Sequence, residues 1–115
     1  MTPLEFQAIR QIIGYSVKEL ADYLGANPSS ITRWSSEETP IPTRIETATN
    51  TLLQKFIAGV AVAAAGRLPV ATTAIEYEPL AEKISAQLGF PVPWFTYRAL
   101  IGAGMLRLVS AAPIF

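Results

Sequence analysis

The sequence predicts a mainly α-helical chain of five to six helices. An N-terminal helix-turn-helix head is followed by a C-terminal helical module, with room for one short strand. Three observations predict this. Hydroxyl–carboxylate pairs three residues apart, Thr2 with Glu5, Ser16 with Glu19 and Thr43 with Glu46, stand before apolar runs. In such a pair the hydroxyl accepts from the third N–H of the helix and the carboxylate reaches back to the cap. Gly14 and Gly25 close the first two runs, where a left-handed residue ends a helix at little cost. Pro3, Pro28, Pro79 and Pro93 fall where helices begin, a position at which the missing N–H is harmless.

Each element follows from its own residues. The first helix opens at Thr2 and carries Leu4, Phe6, Ala8, Ile9, Ile12 and Ile13 at largely helical spacing. The second opens at Ser16. The third takes Asn27 as its cap and runs to about Ser35, and 36–42 is a loop punctuated by Pro40 and Pro42. The fourth reads from Arg44 to about Ala65; its second half, from Phe56, is so uniformly apolar and small that it is expected to be buried. Residues 70–77 are rich in β-branched side chains and read as the short strand. A fifth helix is expected over 78–88 and a sixth over 93–110. Little of the stretch from Ala99 to Leu106 has a polar face. Glycines inside a helix cost about 1 kcal/mol each relative to alanine. Close approach of another backbone at Gly102 and Gly104 would offset that, so this helix is expected to be buried partly by a second copy of the chain.

Composition narrows the function. At 115 residues the chain holds one modest domain or two small modules; the reading divides it into a head, 1–55, and an apolar module, 56–115. Half the residues are hydrophobic, only 16% are charged, and mean hydropathy is +0.32, which excludes an intrinsically disordered chain. So much apolar surface on a short chain favours a core shared with a second copy. Without cysteine or histidine there are no disulfides, thiolate metal sites, cysteine nucleophiles or histidine acid–base catalysis. No metal-ligand spacing, nucleophile–base pair or glycine-rich phosphate loop is present, so no enzyme, metal or cofactor is expected. Glu76, Glu78 and Glu82 read as a solvated face. The longest uncharged runs, 84–97 and 56–66, fall short of the roughly 18 residues that span a bilayer. The start, Met1-Thr2-Pro3-Leu4-Glu5-Phe6, lacks the basic and apolar regions of a signal peptide, and the expected location is the cytoplasm.

The second and third helices form the pattern that carries function. Leu20, Ala21, Leu24, Ile31 and Trp34 fall where a bihelical core needs them. Small Ala21 lets two helices cross closely, and Gly25 permits the turn. This is the helix-turn-helix arrangement, whose second helix enters a DNA major groove.

On these residues, Leu20-Ala21, Leu24-Gly25, Ser30-Ile31 and Arg33-Trp34, the sequence resembles the Cro/C1-type (XRE) helix-turn-helix regulators of prokaryotes and phages. The segment from Phe6 to Arg10 and the Pro40-Ile41-Pro42 after the third helix add to the likeness, which covers residues 2 to about 55. The overall layout is similar to small anti-CRISPR-associated autorepressors of phages and plasmids. The resemblance implies a dimeric repressor of double-stranded DNA with a C-terminal dimerisation module. It implies Asn27 as recognition-helix cap, Ser29, Ser30, Thr32 and Arg33 as base or phosphate contacts, and Lys18 and Arg44 as phosphate contacts. Arginine donates bidentately to guanine, and hydroxyls reach bases or phosphates.

The sequence departs from that family's pattern at three points. Pro28 occupies a position where a polar base reader is common. Ser35 follows Trp34 where glutamate is usual, so Arg10 needs another partner, with Glu37 and Glu38 the candidates. The head carries five bases (Arg10, Lys18, Arg33, Arg44, Lys55) against six acids (Glu5, Glu19, Asp22, Glu37, Glu38, Glu46), so nonspecific attraction to phosphate is weak. The same fold without DNA affinity, an antitoxin-like or adaptor module that binds protein, is the alternative reading.

The dimer surface is expected among Ile57, Val60, Trp94, Phe95, Leu100, Ile101, Met105, Leu106, Leu108 and Val109. Trp94, Phe95 and Tyr97 read as core or interface anchors, or as the wall of a ligand pocket.

Overall fold

A computed structural model describes residues 1–36 and 39–111. It contains seven α-helices: α1 (Pro3–Ile13), α2 (Val17–Leu24), α3 (Pro28–Ser35), α4 (Thr43–Ala64), α5 (Ala74–Tyr77), α6 (Ala81–Leu88) and α7 (Trp94–Ala111). A single 3-10 turn, Glu78–Leu80, joins α5 to α6. There is no strand among the described residues. The chain divides into two compact units, Met1–Gln54 and Lys55–Phe115, and the division falls inside α4.

In the first unit the expected caps of α1 and α2 are formed in full. Glu5 N–H donates to Thr2 Oγ1 at 3.1 Å while Glu5 Oε1 accepts from Thr2 N–H at 2.9 Å. Ser16 and Glu19 do the same at the start of α2. The third expected box, Thr43 with Glu46, does not form. The carbonyl of Pro42 accepts the first helical N–H groups, those of Ile45 and Glu46, and Thr43 is already helical. The Glu46 carboxylate instead takes the Met1 ammonium at 2.9 Å. A charged donor outcompetes a backbone N–H for the same oxygen.

The core of this unit is Phe6, Ile13, Leu20, Leu24, Ile31, Trp34, Ile45 and Leu52. Phe6 meets Trp34 edge to face, with ring centroids 6.2 Å apart. Thr49 is buried there too, its hydroxyl donating to the Ile45 carbonyl at 2.7 Å, which removes the cost of burying it.

The second unit is built on Phe56, Leu68, Tyr77, Ile84, Phe90, Val92, Tyr97 and Leu100. Its helices cross at glycines. A Cβ at Gly59 would lie 2.9 Å from a methyl of Leu100, and one at Gly104 would lie 3.1 Å from the Ala64 nitrogen. The close approach expected at Gly104 is therefore made inside one chain, by α7 against α4. Among the described residues a Cβ at Gly102 would meet nothing within 4 Å, so none of them accounts for that glycine.

The short strand expected over 70–77 is a correction. Residues 70–73 form an irregular connection and Ala74–Tyr77 is one helical turn. Thr73 Oγ1 accepts from Glu76 N–H at 3.1 Å, and the Glu76 carboxylate accepts from both the N–H and the hydroxyl of Thr72 at 2.9 Å. These local bonds override the β preference of the threonines. Tyr97 holds the same connection: its hydroxyl donates to the Pro69 carbonyl at 2.7 Å and accepts from Ala71 N–H at 3.0 Å.

Candidate nucleic-acid interface

The turn between α2 and α3 sets the geometry of the site. Gly25 ends α2 at φ 65°, where the left-handed conformation favours glycine. Ala26 N–H then donates to the Ala21 carbonyl at 2.9 Å, and Pro28 starts α3. Asn27 is the capping residue by position, but its side chain makes no cap bond to the helix. The contribution expected of an asparagine cap is therefore not made inside the protein, and the amide is exposed.

α3 packs on α1 and α2 through Ile31 and Trp34. That fixes which face is turned outward. Ser29, Thr32 and Arg33 are exposed, with Lys18 exposed at the start of α2. Ser30 is half-buried, displaced toward the packed side, and receives a long contact of 3.5 Å from the Arg33 guanidinium. The Thr32 hydroxyl donates to the Pro28 carbonyl at 3.2 Å and keeps its lone pairs outward. Ser36 was missed by the sequence reading. It is exposed one turn beyond Thr32, and the spacing from Thr32 and Arg33 was the signal that it shares their face.

Arg44 has a duty that its sequence position did not reveal. Its Nη1 donates to the Leu24 carbonyl at 3.3 Å, so it caps the C-terminal end of α2 and ties the turn to the start of α4. A cation is favoured at that end of a helix. Arg10 donates to the Tyr15 carbonyl at 3.0 Å, and its enclosed Nε has no hydrogen-bond partner among the described residues. Its expected partners, Glu37 and Glu38, lie outside the described residues.

Among the described residues two carboxyls and two phenols are perturbed, and none of these four is on the outer face of α3. The Thr2 N–H and hydroxyl hold Glu5 below the usual carboxylate range, and those of Thr72 do the same for Glu76. Burial pushes the Tyr15 phenol up, and burial with Tyr97 nearby pushes Tyr77 up to about 12. No group of three or more metal-ligating side chains occurs among the described residues. No helix among them is long and apolar enough to cross a membrane.

The surface named for pairing is split by the structure. Phe95, Met105, Leu106, Leu108, Val109 and Ile57 are exposed, Met105 by 63% and Leu106 by 67%. Trp94, Ile101 and Val60 are half-buried. Leu100 has no exposed surface and belongs to the core of its own chain, so it is withdrawn from that set.

Fold and site together define a helix-turn-helix protein: two short helices joined at a left-handed glycine, the second with one face locked and one polar face free. The family follows from comparison. Residues 1–63, more than half of the chain, match the Aca2/YdiL-like family, and the protein belongs to it. This is a family of anti-CRISPR-associated regulators of helix-turn-helix type. No curated protein and no solved structure matches the chain.

Proposed function

We propose that the protein is a sequence-specific DNA-binding transcriptional regulator of the cytoplasm, a homodimeric repressor that reads a two-fold symmetric operator through α3. The observation that carries this reading is the outer face of α3. Ser29, Thr32 and Arg33 stand exposed on a helix whose other face is fixed by Ile31 and Trp34, with exposed Ser36 just past its end. A major groove admits one helix, and a guanidinium with hydroxyls beside it is a chemistry that reads base edges and phosphates. Exposed Lys18, and the backbone N–H groups at the start of α2 and α3, supply phosphate contacts. Arg44 acts chiefly by holding the turn.

One such head reads only a few base pairs, so two are needed for a useful site. Phe95, Met105, Leu106, Leu108 and Val109 offer the second copy an apolar surface on α7. Two-fold pairing places half-sites about 34 Å apart, one turn of the duplex.

Selection of duplexes from a random library by the full chain tests the reading. Enrichment of one motif with two-fold symmetry is expected. A pool that stays random after repeated rounds would overturn the proposal, and would favour the near-neutral head as a protein-binding module.

A further inference from the structure

The second unit holds an open groove of about 480 Å³, lined by Val70, Ala71, Thr72, Trp94, Tyr97, Arg98, Ile101 and Gly102. We propose that this groove is a binding site for a small planar organic anion, an aromatic ring or ring pair carrying a carboxylate.

The volume falls within the roughly 300–1,000 Å³ of small-molecule sites. Trp94, half-buried, has its ring stacked near Tyr97 with centroids 5.9 Å apart, and it offers a flat apolar wall. Tyr97 is rigid because its hydroxyl is held by both Pro69 and Ala71. Gly102 is an exposed lining residue, and nothing among the described residues stands within 4 Å of an added Cβ there. A glycine inside a helix is disfavoured relative to alanine, and no contact among the described residues requires this one. Open space beside the Trp94 wall, within the reach of Arg98, is what the missing side chain provides.

Charge decides the ligand class. Among the described residues that line the groove, Arg98 is the one cation and none is a carboxylate. Among the described residues its guanidinium has no ion-pair or hydrogen-bond partner; it stands 5.7 Å from the centre of the Phe95 ring. Thr72, which lines the groove, gives its N–H and its hydroxyl to the Glu76 carboxylate. A guanidinium fork at the rim of an apolar slot pairs with a planar carboxylate.

The test is calorimetric titration of the full chain with naphthalene-2-carboxylate and, separately, with uncharged naphthalene-2-carboxamide. Sedimentation is run on the same samples. The wild type is expected to bind the acid at least tenfold more tightly than the amide. Arg98→Gln is expected to weaken the acid about ten- to a hundredfold and to leave the amide unchanged, as loss of one charge-assisted pair predicts. Gly102→Leu is expected to abolish binding of both, and it has open space to fold into. Equal affinity for acid and amide, or full binding by Gly102→Leu, would overturn the proposal. A third result would also overturn it: variants that change the assembly state without changing ligand affinity would show that a second copy fills the groove. DNA selection reads the outer face of α3, so a failure to bind the acid and a failure to enrich a duplex are told apart.

Discussion

In the proposed reading of DNA, sequence discrimination rests on Arg33. It is exposed on α3, and among the described residues its guanidinium has one hydrogen-bond partner, Ser30, at the long distance of 3.5 Å, which leaves the fork able to meet a guanine. Arg33→Ala is expected to cost about 1–3 kcal/mol for the preferred duplex and to relax preference at one base pair. Competition binding against single-base variants of the selected site measures both. Arg44→Ala is expected to behave differently from Lys18→Ala. The first removes a bond to the Leu24 carbonyl and lowers unfolding stability in urea by about 1 kcal/mol; the second leaves stability unchanged and weakens all duplexes alike.

Tyr77 gives a pH prediction at the same scale. Its folded value is raised above the unfolded one to about 12, so the folded state holds its proton more tightly. The stability this contributes is fully present below pH 10 and is lost as pH rises toward 12. Tyrosinate absorbance is expected to show two phenols, Tyr15 and Tyr77, ionising only with alkaline unfolding. Ionisation of Tyr15 and Tyr77 near pH 10 in a still-folded chain would contradict the burial described.

At the scale of the element, three glycines with different surroundings separate strain from space. Gly25→Ala meets no neighbour but must hold φ 65°, a cost of about 1–2 kcal/mol. Gly102→Ala has open space in an ordinary helix, so it is expected to stabilise by about 1 kcal/mol. Gly104→Val meets backbone and Cβ atoms of Ala63 and Ala64 and is expected to destabilise the most. Thermal unfolding ranks the three.

The first two helices were legible because Thr2/Glu5 and Ser16/Glu19 are local signals, complete within four residues. Thr43/Glu46 has the same spacing and failed, because the competing Met1 ammonium arrives from 45 residues away. The missed turn at Ala74–Tyr77 carried its own signal, Thr73 three residues before Glu76, outweighed in the reading by β-branched composition. The polar face of α3 was readable from the apolar pair Ile31 and Trp34. The duty of Arg44 was not, because a bond spanning 20 residues leaves no trace in local spacing.

For the whole molecule, pairing through α7 has a sharper expectation than the sequence allowed. Leu106 is exposed, so Leu106→Glu is expected to split the dimer while the chain remains folded. An unpaired carboxylate enclosed at a pairing surface costs several kcal/mol, whereas the same group in water costs nothing. Sedimentation and circular dichroism together check this: a folded monomer is predicted. A wild-type chain already monomeric at micromolar concentration would remove the basis for a two-fold operator.

The most direct measurement is the affinity ratio of the selected duplex to a scrambled duplex, for wild type and Arg33→Ala, across a salt series. Wild type is predicted to prefer the selected duplex by about a thousandfold or more, consistent with specific binding. The wild-type ratio should persist as salt rises and both affinities fall. Arg33→Ala should lose about ten- to a hundredfold of that ratio. A ratio near one for wild type, or a ratio untouched by Arg33→Ala, would contradict recognition of DNA sequence through α3.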